Sequence, residues 1–232
     1  MTQRVLLAAL VAVVVCVAAE PNQLTAEERA RGWRLLFDGR TTDGWVEVTG
    51  KPFPANCWTI ENACLKAIPR DNGFQDIRTV DSFRSFELEW EWKILAKGNS
   101  GVKYLIQKVD DWSNKQGRQA RARGLEYQLA DDANDDAASA ASRVAGALYS
   151  VFAPSPKVTP RIGEFNRSRL VVDGARVEHW LNGTRVVEFR LDAPEVQKLY
   201  PGIKPKESVI SLQNHASEVW FRTVKIRPLP SQ

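Results

Sequence analysis

Histidine and cysteine are scarce in this chain: of 232 residues, two are His and three are Cys. So small a pool of nitrogen and sulfur ligands argues against a structural zinc centre. The glycine-rich phosphate loops GxGxxG and GxxxxGK[ST] are missing, as are HExxH and GxSxG. That takes weight from dinucleotide, nucleotide, zinc-protease and serine-hydrolase chemistry. A strong charge of one sign is missing too. Thirty-two Lys and Arg face 28 Asp and Glu, a net +4 with the signs interspersed, which does not argue for nucleic acid or an anionic membrane. The one tight basic cluster, GRQARAR from Gly117 to Arg123, reads as a solvated loop. No repeat and no linker long enough to separate two domains is present.

The long apolar run that does exist stands at the N-terminus. Arg4 precedes an unbroken apolar stretch, Val5 to Val17, and Val17-Ala18-Ala19 offers a small-residue cleavage site before Glu20. This is the layout of a secretory signal peptide, and the run is short for a membrane span. Residues 1–19 are therefore expected to be removed and the protein to be secreted or periplasmic. A lipid anchor at Cys16 ranks second, because Val15 stands where lipid attachment prefers a small residue; a retained membrane anchor ranks third. About 213 residues then remain, enough for one large β domain. Residues 20–31 form a lead-in, where Thr25 and Glu28 have capping-box spacing and predict a short helix. Residues 32–230 form the domain itself. Cys57 and Cys64 stay in an export-compatible chain. They flank WTIENA, read as a hairpin turning at Glu61-Asn62, and either a disulfide or two buried thiols fits.

From Gly32 onward the texture is short strands and turns. FELEWEWKI alternates strictly, with Phe86, Leu88, Trp90 and Trp92 on one side and Glu87, Glu89 and Glu91 on the other. Period two means strand. GVKYLIQ, GLEYQLA, GALYSVF, SRLVVDG, SVISLQNH and VWFRTVKI are further strand candidates. ARVEHW-LNG-TRVVEF is a hairpin with Asn182-Gly183 at its turn. Asp131 to Gly146 is acidic, then small and polar, and reads as a long functional loop. The pattern predicts an all-β, two-sheet antiparallel sandwich, with Trp90, Trp92, Tyr127, Leu212 and Phe221 buried.

The candidate chemistry lies in polar residues opposite the apolar faces of these strands. Glu126 and Gln128 oppose Leu125, Tyr127 and Leu129; Ser211, Gln213 and His215 oppose Ile210 and Leu212; Glu91 opposes the Trp pair. Each alone reads as an ordinary solvent-facing group. Together, acid, amide and imidazole are what a sugar-handling face needs, and Glu91, Glu126, Gln128 and His215 are expected to converge there. His215 is the better candidate base, since imidazole titrates near neutrality; His179, beside a turn, reads as structural. The evenly spaced Glu87, Glu89 and Glu91 lack the E-x-D-x-x-E pattern of jelly-roll glucanases, and no pair of acids is placed for two-carboxylate glycoside hydrolysis.

These segments carry a resemblance. GWRLLFDGRTTDGW, FELEWEWKI with GNSGVKY, GLEYQLADD, GALYSVF, GEFN, VEHWLNG and SLQNHASEVWFRTVKI follow one another from Gly32 to about Leu229. In that order they resemble the 3-keto-disaccharide hydrolase family, also described as 3-keto-glucoside lyase/hydratase domains. The chain departs from the family pattern at Phe165, usually Trp, at Ser208-Val209, usually Gly-His, and at Thr223, often Asn. The resemblance implies a concanavalin A-like jelly roll acting on 3-keto glycosides. A ketone at C3 acidifies the C2 proton; its removal gives an enolate that expels the C1 group, and water adds to the enone. A separate sugar 3-dehydrogenase would make the ketone upstream, so no redox cofactor is needed. The roles that follow are His215 or Glu126 as base, Lys103 at the enolate oxygen, and Glu91, Asn99, Gln128 and Gln213 orienting hydroxyls. A divalent metal ion on His215 and nearby carboxylates is the alternative stabiliser. The rival function is a non-catalytic carbohydrate-binding or adhesion module, because fold does not fix function. An aromatic platform without a base would favour it.

Overall fold

The computed structural model describes residues 20–69, 74–114 and 117–230. The expected leader, Cys16 included, lies outside the described residues. Thirteen strands are found among those described: β1 (Arg34–Leu35), β2 (Trp45–Glu47), β3 (Trp58–Glu61), β4 (Cys64–Ala67), β5 (Ile77–Thr79), β6 (Phe86–Ile94), β7 (Asn99–Asn114), β8 (Gly117–Ala130), β9 (Asn166–Asp173), β10 (Arg176–Leu181), β11 (Thr184–Arg190), β12 (Ser211–Leu212) and β13 (Val219–Pro228). Three short helices join them: α1 (Ala26–Ala30), α2 (Asp135–Ser139) and α3 (Pro194–Leu199).

The strands form two antiparallel sheets packed as a jelly-roll sandwich. The larger runs β11-β10-β9-β6-β13-β4-β3, with β1 also on β13; the smaller runs β2-β5-β12-β7-β8. Alternation places the core between them. Trp90, Trp92, Tyr127, Leu212 and Phe221 are all buried, and Trp90 meets Tyr127 edge-on at 5.0 Å between ring centroids. Buried polar tips are paired within this layer: Trp92 Nε1 donates to Ser168 Oγ (2.8 Å), which donates to Tyr127 Oη (2.9 Å), which donates to the Trp180 carbonyl (2.9 Å). His179 belongs to the same layer. It is fully buried, with Nδ1 on the Gly146 carbonyl at 3.0 Å and Nε2 on Tyr104 Oη at 2.7 Å. Its role is structural.

Local chemistry sets the turns. In the β10–β11 hairpin Asn182 (φ 48°) and Gly183 (φ 85°) both take positive φ, as a two-residue type I′ turn requires. The β3–β4 hairpin turns at Asn62 (φ 49°) and Ala63 (φ 56°), one residue later than the expected Glu61-Asn62. The register pairs Glu61 with Cys64, while the Cys57 carbonyl accepts from Ile68 N at the far end of the hairpin. The two cysteines are thus held at opposite ends of the hairpin, both buried. The helix α1 carries the capping box: Glu28 N donates to Thr25 Oγ1 (3.1 Å) and Thr25 N to Glu28 Oε2 (2.8 Å).

Two further expectations need correction. GALYSVF is a turn with isolated bridges at Leu148, because its backbone folds back on Gln128 and Glu126 to wall a cavity. The basic cluster is part of strand β8; its Arg121 is buried.

Candidate functional site

The site is built on the outer face of the smaller sheet. Cross-strand register sets Gly101 opposite Gln128 and Lys103 opposite Glu126. On the other side of β7, Ser211 faces Lys103 and Gln213 N donates to the Gly101 carbonyl at 2.9 Å. Val102, Tyr104, Leu125, Tyr127 and Leu129 turn to the core, so Lys103, Glu126 and Gln128 emerge together on the opposite face. Gly101 leaves room for the acid: a Cβ there would stand 2.2 Å from Glu126 Oε1 and 2.9 Å from its Cδ.

Above this floor opens a cavity of about 630 Å³. Asn99, Lys103, Glu126, Gln128, Gln213 and His215 line its base. One wall is the segment after β8, with Asp136, Tyr149 and Ser150; another is Leu199, Tyr200 and Pro201 at the end of α3. The distal arm of the β7–β8 hairpin closes a third side with Lys108, Asp110, Arg121 and Arg123. A register shift between Tyr104 and Lys108 kinks that arm, and Gly124 accommodates it. A Cβ at Gly124 would lie 2.5 Å from the Tyr104 carbonyl oxygen.

The long loop is shaped by its own polar residues. Asn134 caps α2 through Asp136 N at 3.0 Å. Asp136 accepts from Arg143 Nη1 at 2.7 Å and from Tyr149 Oη at 3.0 Å. The acidic stretch thereby fixes a tyrosine at the cavity.

Beneath the floor Asp76 is fully buried. Its Oδ2 accepts from Lys103 Nζ at 3.0 Å and its Oδ1 from Asn214 N at 3.1 Å. The Asn214 side chain ties on to the Cys57 carbonyl (3.1 Å) and to Ala216 N (3.0 Å). Asp76 therefore anchors both the lysine and the β12–β13 loop that carries His215. Nearby, Gln128 Nε2 donates to Asn99 Oδ1 at 3.2 Å. Among the described residues the buried Oε1 atoms of Gln128 and Gln213 find no donor.

Electrostatics separate the two candidate proton carriers. Burial pushes the Glu126 carboxyl above its ordinary value; Lys103 and Arg121 oppose the rise and Asp76 adds to it. Burial, with Arg121 second, pulls the His215 imidazole below its ordinary 6.5. His215 is therefore a neutral imidazole at pH 7, able to accept a proton.

Of the expected site residues the structure brings together Asn99, Lys103, Glu126, Gln128, Gln213 and His215. It does not bring Glu91. That carboxylate lies in β6 of the larger sheet and accepts from Arg222 Nε at 2.7 Å. Alternation correctly sends Glu91 away from the core, but a sandwich has two outer faces and alternation does not say which. Its neighbours behave alike: Glu87 pairs with Arg169 and Arg227, and Glu89 with Arg167 and Lys225. Sequence reasoning missed Asp76, Arg121, Asp136, Tyr149 and Tyr200.

The profile of the family described as "3-keto-alpha-glucoside-1,2-lyase-like domain" matches residues 32–227. The chain belongs to this family. Among curated relatives, the 3-keto-disaccharide hydrolase of Bacteroides thetaiotaomicron is 30% identical, over 91% of this chain and 83% of that protein. A crystal structure from Parabacteroides distasonis ATCC 8503, described provisionally as a glycosyl hydrolase, superposes with a TM-score of 0.75 at 29% identity, over 91% of this chain and all of that one. A second from the same strain, at TM-score 0.65 and 24% identity over 85% of this chain and 99% of that one, shares the fold.

In this member of the 3-keto-alpha-glucoside-1,2-lyase-like family the donor set does not suit the divalent ion considered above. Among the described residues no three His, Cys, Asp or Glu side chains gather as ligands. Asp76 spends both oxygens on Lys103 and Asn214, and the charges of Arg121 and Lys103 already act on His215.

Proposed function

We propose that the chain is a 3-keto-glycoside hydrolase that cleaves by elimination and hydration. What carries the reading is the joining of a neutral imidazole, His215, and a carboxyl of raised proton affinity, Glu126, with Lys103 on one cavity floor and Arg121 on its side. The curated relative's name supports the same substrate class. His215 takes the C2 proton, and the electrons of that C–H bond form the enolate. Positive charge at Lys103 stabilises the enolate oxygen; Arg121, on the same cavity, adds to it. The enolate re-forms the ketone and breaks the C1–O bond, and the departing oxygen takes a proton from Glu126, whose raised value suits an acid. Water then adds at C1 of the enone and C2 regains a proton, so one glycosidic bond and one water are consumed. Asn99, Gln128 and Gln213 orient hydroxyls.

The clustering of imidazole, acid and amide supports an enzyme over a binding module. A separate sugar 3-dehydrogenase would supply the ketone. The protein would act outside the cytoplasm after leader removal, with no nucleic-acid partner and no membrane insertion. The test is incubation of purified protein with a panel of 3-keto glycosides. Aglycone release is expected. Sugar binding without release from any of them would overturn the hydrolase in favour of a lectin-like module.

A further inference from the structure

The base and the walls of the cavity differ in kind. The base offers amides, a carboxyl, an ammonium and an imidazole, groups that match the hydroxyls and ketone of a sugar ring. The wall at the end of α3 instead presents three consecutive carbon-rich residues, Leu199, Tyr200 and Pro201. Leu199 is 52% exposed and lines the cavity.

This wall is held in place. Val196 anchors α3 in the core. The Gln197 amide donates to the Leu191 carbonyl (2.6 Å) and the Ile203 carbonyl (3.1 Å), and its oxygen accepts from Gly202 N (3.0 Å). Gln107 Nε2, from the kinked arm, reaches the Pro201 carbonyl at 3.4 Å. Leu199 thus stands on a braced frame that keeps it from folding into the core. An apolar group docked there would remove its surface from water without any ordering of the loop.

Resting on the hydrolase reading, we infer that Leu199, Tyr200 and Pro201 form the leaving-group subsite and select glycosides whose aglycone is apolar or aromatic. The glycone lies on the polar base, where its hydroxyls find partners. The aglycone lies against Leu199, beside Tyr200 and Pro201. The charged arm, with Lys108, Asp110 and Arg123, is the competing direction and would suit a second sugar.

The experiment compares 3-keto phenyl glucoside with a 3-keto glucose disaccharide, using the full exported chain. kcat/KM should favour the phenyl substrate at least tenfold. Leu199→Ala and Leu199→Asp should each raise KM for the phenyl substrate about tenfold with kcat nearly unchanged, and raise it less for the disaccharide, so that the phenyl preference shrinks. Calorimetric titration of wild type and Leu199→Asp with unreactive phenyl and methyl glucosides reads the subsite without turnover. Turnover with no phenyl preference and no selective effect of Leu199 overturns the subsite and keeps the hydrolase reading. Absence of turnover with preferential phenyl binding that Leu199→Asp removes overturns the hydrolase reading and keeps the apolar subsite. Absence of both overturns both.

Discussion

At the scale of single residues, Glu126 should reveal itself by a conflict between stability and activity. Its folded value is raised by burial. A raised carboxyl contributes stability below the unfolded value of 4.5, and that contribution is lost as pH rises through the folded value. Above the folded value the buried charged form is therefore a burden on the fold. Glu126→Gln keeps the shape and removes the titration, so it should flatten the fall in melting temperature as pH rises while lowering kcat by roughly 10²-fold. His215→Ala should lower the rate by a similar ~10²-fold factor with little change in melting temperature. In wild type, kcat/KM should fall on the acid side as His215 takes its proton, below the ordinary 6.5 because the value is lowered. Full activity in both variants would remove these residues from the chemistry. Both were visible in the sequence, because a polar residue opposite an apolar strand face is a period-two observation. Asp76 and Arg121 were not singled out, since what they do depends on strands distant in the chain meeting in one sheet.

At the scale of elements, the site depends on glycines that make room in the β7–β8 hairpin. Gly101 lies beneath Glu126, where a methyl group would occupy the space of the carboxylate. Gly101→Ala should leave the sandwich folded, since the clash is with a side chain that can swing away. It should cost about tenfold or more in kcat, because a displacement of about an ångström at a catalytic group is expensive. Normal kcat with an unchanged pH profile would show that Glu126 need not occupy the space above Gly101. Strands and hairpins were well read from the sequence where alternation or Asn-Gly marked them, as in β6 and β10–β11. GALYSVF shows the limit. Its apolar composition suits a strand, yet Ser150 takes φ 59° and the segment turns back to line the cavity. The GRQARAR segment failed the opposite way: arginines made it look like loop, but pairing with β7 made it strand.

At the scale of the whole molecule, the N-terminus and the core make separate predictions. Material recovered from the medium or periplasm should begin at Glu20 on N-terminal sequencing; a lipid-modified Cys16 would instead indicate an anchored protein. The core predicts an acid limit to stability. His179 is fully buried between the sheets, and burial pulls its imidazole from 6.5 to about 4 despite the Gly146 and Ala147 carbonyls. A lowered imidazole means that the unfolded chain binds the proton first, so stability is intact above 6.5 and drains away as pH falls towards 4. Each unit of displacement is worth about 1.4 kcal/mol, so the loss on reaching pH 4 is on the order of 3 kcal/mol, a large share of a stability of roughly 5–15 kcal/mol. His215 acts in the same direction and Glu126 in the opposite one. Urea unfolding at intervals from pH 7 to pH 4 should show the midpoint falling steadily. His179→Leu would leave Tyr104 and the Gly146 carbonyl without their partner and so start from lower stability. Its midpoint should nevertheless vary less with pH across the same interval. A slope as steep as that of wild type would place the proton uptake elsewhere and overturn the assignment to His179.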